Sequence, residues 1–222
     1  MCEGLAHGDD AAEYQGPAVI ALVDYGAGNL TSVRKVLGAV GADVYTPAGP
    51  EDLAGATGVI VPGVGHFEST RSLGQPWRHA ILERLEYGRP LLGICVGLQW
   101  LFDGSTEAPG VSGFGVCRGT CNRLPDTQPG TGARLKVPHM GWDTLAFPRP
   151  SRLFDGVPAG SYVYYAHSYA APLARGTVAT SSYGVEFTAG VEDGLVSGLQ
   201  FHPELSGKVG LRVLRNWLEG IR

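Results

Sequence analysis

Three side chains stand out as able to do chemistry together: Cys95, His202 and Glu204. Cys95 lies in the stretch Pro90-Leu91-Leu92-Gly93-Ile94-Cys95-Val96-Gly97-Leu98-Gln99-Trp100-Leu101-Phe102. An apolar run leads into a cysteine flanked by glycines and continues as a second apolar run without strand-like alternation. The pattern predicts a buried strand, a tight turn at Cys95, then a helix. That is the geometry of a nucleophile elbow, with cysteine where hydrolases place serine. Gly93 and Gly97 allow backbone and helix to approach closely around such a turn. A nucleophile at the start of a helix faces the positive end of its dipole, which favours an anionic sulfur. The Val96 amide, next in the chain, is directed where an oxyanion would form. Taken alone, Cys95 is equally well read as a buried core cysteine.

The second stretch, Gly198-Leu199-Gln200-Phe201-His202-Pro203-Glu204, changes that balance. A nucleophilic thiol needs a base, and the base needs an acceptor to orient it. Here an apolar strand end delivers His202 and Glu204 together, with Pro203 stiffening the chain between them. Distance along the chain is no obstacle, because such partners meet in space.

These residues need a scaffold, and the patterns before them supply one. Residues 18–24, 43–46 and 58–61 read as strands. Leu30, Val33, Leu37 and Val40 give a helical stripe closed by Gly41, and Trp77, Ile81, Leu82 and Leu85 mark another helix. Strands alternating with helices imply parallel βαβ units. The loop Pro62-Gly63-Val64-Gly65 and the Cys95 turn both follow strands, so they should line one crevice at the carboxyl ends of the sheet. A dinucleotide reading of Gly26-Ala27-Gly28 fails at Thr31, where the fingerprint needs glycine or alanine. Beyond Gly104, short Val-, Tyr- and Thr-rich segments alternate with Gly/Pro turns, the last spanning 195–201. They predict an antiparallel section added to the same domain, followed by a closing helix from about Gly207. The expected fold is α/β, an open and mostly parallel sheet flanked by helices, with this antiparallel β section.

Composition narrows the function classes. The chain has 222 residues, 44% hydrophobic and 17% charged, as in soluble globular proteins. A formal net charge of −4 gives no support for nucleic acid or a basic membrane surface. No apolar run reaches spanning length. Residues 1–17 lack a basic start and an apolar centre, and read as a disordered leader before a domain over 18–222. Cys2, Cys95, Cys117 and Cys121 form no disulfide framework, which points to the cytoplasm. Cys117 and Cys121 are expected on one face of a strand, packing in the core rather than holding a metal. No metal and no cofactor is expected.

The Gly93–Gln99 elbow together with Phe201-His202-Pro203-Glu204 resembles the triad class of glutamine amidotransferases, from about Val19 to the C-terminus. Four further stretches narrow the resemblance: Asp24–Leu30, Pro62–Gly65, Pro138-His139-Met140-Gly141-Trp142 and Tyr165-Ala166-His167-Ser168-Tyr169. The set is similar to the glutaminase subunits of imidazole glycerol phosphate synthases, of histidine biosynthesis. The resemblance implies a flavodoxin-like amidotransferase fold. It implies that Cys95 attacks the glutamine amide, that His202 moves protons and that Glu204 orients it. It implies an oxyanion hole from the amides of Val64 and Val96, the former on the Gly63–Gly65 loop. Gln99 and Glu107 match substrate-holding positions, and the backbone around His167, Ser168 and Tyr169 would help. Ammonia would pass to a barrel-shaped cyclase subunit, docked on the Tyr25–Asn29 loop, Trp142, Asp143 and Leu205. Leu205 and Asp143 depart from the usual lysine and asparagine. Trp142 and Tyr169 have a plainer reading as aromatic core packing. His139 and His167 read as structural histidines, since neither is followed by a suitably placed acid. Two alternatives remain: the glutaminase of another triad amidotransferase, and a silent α/β scaffold.

Overall fold

The computed structural model describes residues 18–221; the expected leader over 1–17 lies outside the described residues, as does Arg222. The first half alternates as its patterns require: β1 (Val19–Leu22), α1 (Leu30–Ala39), β2 (Asp43–Tyr45), β3 (Gly58–Val61), α2 (Gln75–Glu86), β4 (Leu91–Ile94) and α3 (Val96–Leu101). β3 and β4 are buried along their whole length, as expected of strands covered on both faces. α1 starts where the Asn29 side chain accepts from the Ser32 amide, and it buries Val33 and Leu37. α2 buries only Ile81 fully, and Leu82 of the expected stripe faces solvent.

The second half comprises β5 (Gly104–Ser105), β6 (Thr120–Arg123), β7 (His139–Thr144), β8 (Tyr162–His167), β9 (Tyr169–Ala170), β10 (Thr177–Ser182), β11 (Glu186–Asp193), β12 (Val196–Leu199) and α4 (Gly207–Glu219). α4 buries Val213, Leu214, Trp217 and Leu218 on one face.

The central sheet has seven strands in the order β10-β11-β12-β4-β3-β1-β2. From β12 to β2 every pairing is parallel, while β10-β11-β12 pair antiparallel. The expected antiparallel section therefore exists, but it is not one body. β12, expected within it, pairs parallel with β4 and brings the His202 stretch beside the Cys95 turn. β7 and β8 form a separate two-stranded hairpin, and β5, β6 and β9 a small three-stranded sheet. The loops after β12, β4, β3 and β1 open at the same sheet edge, which is the crevice such topologies form.

Candidate active site

The turn between β4 and α3 carries Cys95 at φ 55° and ψ −108°. Among the described residues it is the non-glycine residue with positive φ. An L-residue there stores about 1–3 kcal/mol of strain, held only because the surroundings over-determine it. Those surroundings are explicit. The Cys95 amide donates to the Leu199 carbonyl on β12 at 2.7 Å, and the Cys95 carbonyl accepts from the Gln99 amide at 3.1 Å. A Cβ at Gly97 would overlap the Val61 carbonyl, and one at Gly93 would press on the Gly97 backbone. α3 therefore packs directly on β3 and β4, and glycine is required at both positions. As the first residue of α3, Val96 has no carbonyl four residues earlier in the helix to receive its amide. The helix is only six residues long, so its dipole is weaker than the sequence suggested.

His202 leaves the end of β12 and turns back toward Cys95. Its Nδ1 lies 2.9 Å from Glu204 Oε1. Its backbone is fixed by donation to the Tyr164 carbonyl at 2.9 Å, and its own carbonyl accepts from Ser206 Oγ at 2.6 Å. Both side chains are almost fully buried. Burial opposes charge on the imidazole. Hydrogen bonds to the Cys95 sulfur and to Glu204, with the negative charge of each, outweigh it and raise the His202 pKa to about 10. The geometry holds a proton beside the sulfur and an acceptor behind the ring.

In front of Cys95 lies a cavity of about 150 Å³. Gly65, Cys95 and Val96 form one wall, and Ala166, His167, Ser168 and Tyr169 the opposite one; Gln99, Glu107 and Pro138 complete the lining. Glu107 is aimed by its Oε2, which accepts from the Phe67 amide at 2.8 Å. Gln99 donates from Nε2 to the Tyr169 carbonyl at 2.8 Å, leaving its oxygen free of that bond. Gly63 lies beneath the cavity rather than on its wall. A Cβ there would collide with the Tyr25 hydroxyl, the Val96 side chain and the Gly97 amide, so the loop is clamped to the elbow. Gly65, at φ 90°, makes the left-handed turn that carries the loop over the sulfur.

Two further histidines are buried side by side, and His167 of these lies on the cavity wall. His139 Nδ1 lies 3.3 Å from His167 Nε2, and His167 Nδ1 donates to the Tyr169 carbonyl at 2.9 Å. Burial lowers the His167 pKa to about 3, against the bond to Tyr169 that favours charge, and His139 and His202 lower it further. His139 stacks on Tyr165 and Tyr183. Both histidines are hydrogen-bonded members of the framework, as their sequence context implied. Among the described residues no cluster of His, Cys, Asp and Glu could hold a metal ion. Cys121 lies on β6, but Cys117 falls in the turn before it, so the two do not share a strand face. Both are buried, and burial pushes their thiols up, Cys117 to about 11.

With this geometry in view, the family model described as glutamine amidotransferase class-I matches residues 21–220. The chain belongs to the class-I glutamine amidotransferases. Among individual relatives, an imidazole glycerol phosphate synthase subunit HisH from Moorella thermoacetica is 45% identical over 207 residues, covering 91% of this chain and 95% of that protein. A second, from Methanothermobacter thermautotrophicus, is 42% identical over 205 residues, covering 92% of this chain and all of that one. In three dimensions the chain superposes on the PurLQS structure from Thermotoga maritima with a TM-score of 0.67 at 18% identity, covering 93% of this chain and 100% of that one. That likeness speaks to the fold.

Within this amidotransferase, sequence reasoning located the elbow, the histidine–glutamate pair and most of the cavity wall. It missed Gln200, which is fully buried between β12 and His202 and donates from Nε2 to Cys95 Sγ at 3.7 Å. The available signal was a polar residue inside an otherwise apolar strand end, since buried amides are placed to hydrogen-bond. Trp142 is 54% exposed and meets Tyr164 edge to face, which rules out its plainer reading as core packing and leaves it open to a partner. One expectation about exposure is corrected. Tyr25 is buried under Gly63, so of the Tyr25–Asn29 loop only parts such as Gly26 and Asn29 remain open to a partner. No helix among the described residues is long and apolar enough to cross a membrane.

Proposed function

We propose that this amidotransferase is the glutaminase subunit of an imidazole glycerol phosphate synthase in histidine biosynthesis, with Cys95, His202 and Glu204 as its catalytic triad. The observation that carries the reading is a strained elbow cysteine on the wall of one small polar cavity, backed by a proton-bearing histidine and a buried carboxylate. Glutamine enters with its side-chain amide against Cys95, held by Gln99, Glu107 and the backbone of His167, Ser168 and Tyr169. The Cys95 sulfur attacks the amide carbon. The Val96 amide and an amide of the Gly63–Gly65 loop, that of Val64, stabilise the oxyanion.

The charge state of His202 suggests the order of proton transfers. With a pKa raised to about 10, the imidazole already carries its proton at neutral pH. It gives that proton to the leaving nitrogen as the carbon–nitrogen bond breaks, and ammonia departs. The sulfur is now a neutral thioester, so its contribution to the raised pKa disappears. The neutral imidazole then takes a proton from water, which attacks the thioester and releases glutamate. Glu204 holds the ring in the orientation that both steps need.

Ammonia passes to a barrel-shaped cyclase subunit. The exposed surface of Met140, Trp142 and Leu205 supports docking there, since all three are large apolar residues at least 44% exposed. The buried, unpaired Cys95, Cys117 and Cys121 suit the cytoplasm. The test is glutamate release from glutamine, measured alone and with the cyclase and its nucleotide ligand. Release that rises with the cyclase supports the reading. Equal release without it leaves a stand-alone glutaminase, and no release in either case rejects the activity.

A further inference from the structure

One carbonyl fixes the hydrogen-bond directions of the whole inner network, and following them leads to the nucleophile. The Tyr169 carbonyl can only accept. It lies 2.8 Å from Gln99 Nε2 and 2.9 Å from His167 Nδ1, so both of those atoms carry hydrogens. With the Gln99 amide thus oriented, the same Nε2 donates its other hydrogen to Gln200 Oε1 at 3.2 Å. The oxygen of Gln200 is thereby identified, and its nitrogen must be the end facing Cys95 Sγ at 3.7 Å. No freedom to flip remains in either amide. Gln200 is fully buried, so water does not compete for these contacts.

We infer that Gln200 is a second donor to the Cys95 sulfur, which favours the thiolate and ties the nucleophile to the substrate-holding Gln99. His202 approaches the sulfur with one N–H, and the Gln200 amide supplies another. A hydrogen bond to a charged acceptor is stronger than one to a neutral thiol, so the amide selectively stabilises the ionised sulfur. The same side chain accepts from Gln99, so the residue that holds substrate and the residue that attacks it share one rigid link. This inference rests on Cys95 being the nucleophile. Its test is arranged so that it can fail separately from the glutaminase reading.

The test follows alkylation of Cys95 by iodoacetamide across pH, read by mass spectrometry on the Cys95 peptide so that other thiols do not contribute. It uses neither glutamine nor partner. Gln200→Met should raise the pH midpoint of alkylation by about one unit, the shift expected from loss of one charge-assisted hydrogen bond. Gln200→Glu retains an oxygen for Gln99 but sets a carboxylate beside the sulfur, and should raise the midpoint further. Glutamine hydrolysis by these variants should fall most on the acid side of the alkylation midpoint and recover toward alkaline pH, following the thiolate fraction. A merely structural role would lower the rate equally at every pH. An unchanged alkylation midpoint in Gln200→Met overturns the inference, whatever the added charge does in Gln200→Glu. Should a variant fail to fold, the unmutated chain still decides: the Gln200 side-chain amide proton resonances must titrate with the Cys95 midpoint and lose that titration in Cys95→Ala. A Gln200 amide insensitive to pH overturns the proposal.

Discussion

His202 and His167 are buried to the same degree, 4% and 5% exposed, yet the molecule drives them in opposite directions. In the crevice at the end of β4 and β12, His202 is raised to about 10. At the end of β8, among aromatic rings, His167 is lowered to about 3. Burial works against the charged form in both regions. In the crevice the Cys95 sulfur and Glu204 overcome it, while beside the hairpin a single backbone carbonyl does not. Burial alone therefore does not decide whether a histidine keeps its proton; the acceptors around it do. One region is built to hold a proton that can move, the other to keep its hydrogen bonds in one fixed pattern.

Removing the charged partners in the crevice should produce the largest effects. Cys95→Ser and His202→Ala should each lower glutamine hydrolysis by at least about a thousandfold in a folded protein. The double variant should fall little further, because such residues act as a unit. Circular dichroism alongside a glutamate assay checks both points. Cyclase supplied with free ammonia should still work with the Cys95→Ser subunit. Glu204→Gln should be milder, roughly a hundredfold or somewhat more, since the ring stays in place but loses its anionic acceptor. NMR titration of His202 in that variant should show a lowered pKa.

The contrast between the histidines also sets the pH dependence of stability, with opposite signs. His202 has a folded pKa above its ordinary value. Its stabilisation is fully present below about pH 6.5 and lost as pH rises through about 10. His167 has a folded pKa below its ordinary value, so the neutral form is favoured in the fold. Its contribution is present above about pH 6.5 and lost as pH falls toward about 3. Each limb should amount to a few kcal/mol, measured as urea unfolding free energy across pH. His167→Phe should flatten the acid limb, and His202→Ala the alkaline one. If the two variants flattened the same limb, the contrast would be wrong.

The smallest effect on the fold is expected outside both regions. Trp142→Ala on the exposed face of β7 should change stability by less than about 0.5 kcal/mol. It should nonetheless weaken stimulation of glutamine hydrolysis by cyclase. A large loss of stability would mean that the ring packs on the chain itself rather than awaiting a partner.

The crevice was far more legible in the sequence than the hairpin region. Leu91–Ile94 and the flanking glycines encode strand, turn and helix locally, so the Cys95 elbow could be read from a short window. The meeting of Cys95 with His202 required only the inference that a cysteine nucleophile needs a base. The partition of the second half into three sheets was not readable, because pairing between distant strands leaves no local mark. Nothing around Val196–Leu199 distinguishes a strand that will pair parallel with β4 from one that will not. Gln200 was missed because its role exists only through the Tyr169 carbonyl, which β9 brings against α3 from far along the chain. Tyr25 looked like part of an open loop, yet its ring is buried with the hydroxyl against Gly63.

The central claim is that Cys95 forms the covalent intermediate with glutamine. The direct measurement is mass spectrometry of the chain after incubation with a diazoketone analogue of glutamine, which traps the attacking nucleophile. The account predicts one adduct, on the Cys95 peptide, blocked by excess glutamine and absent in Cys95→Ser. Protection by glutamine of a different residue, or an undiminished adduct in Cys95→Ser, would contradict it.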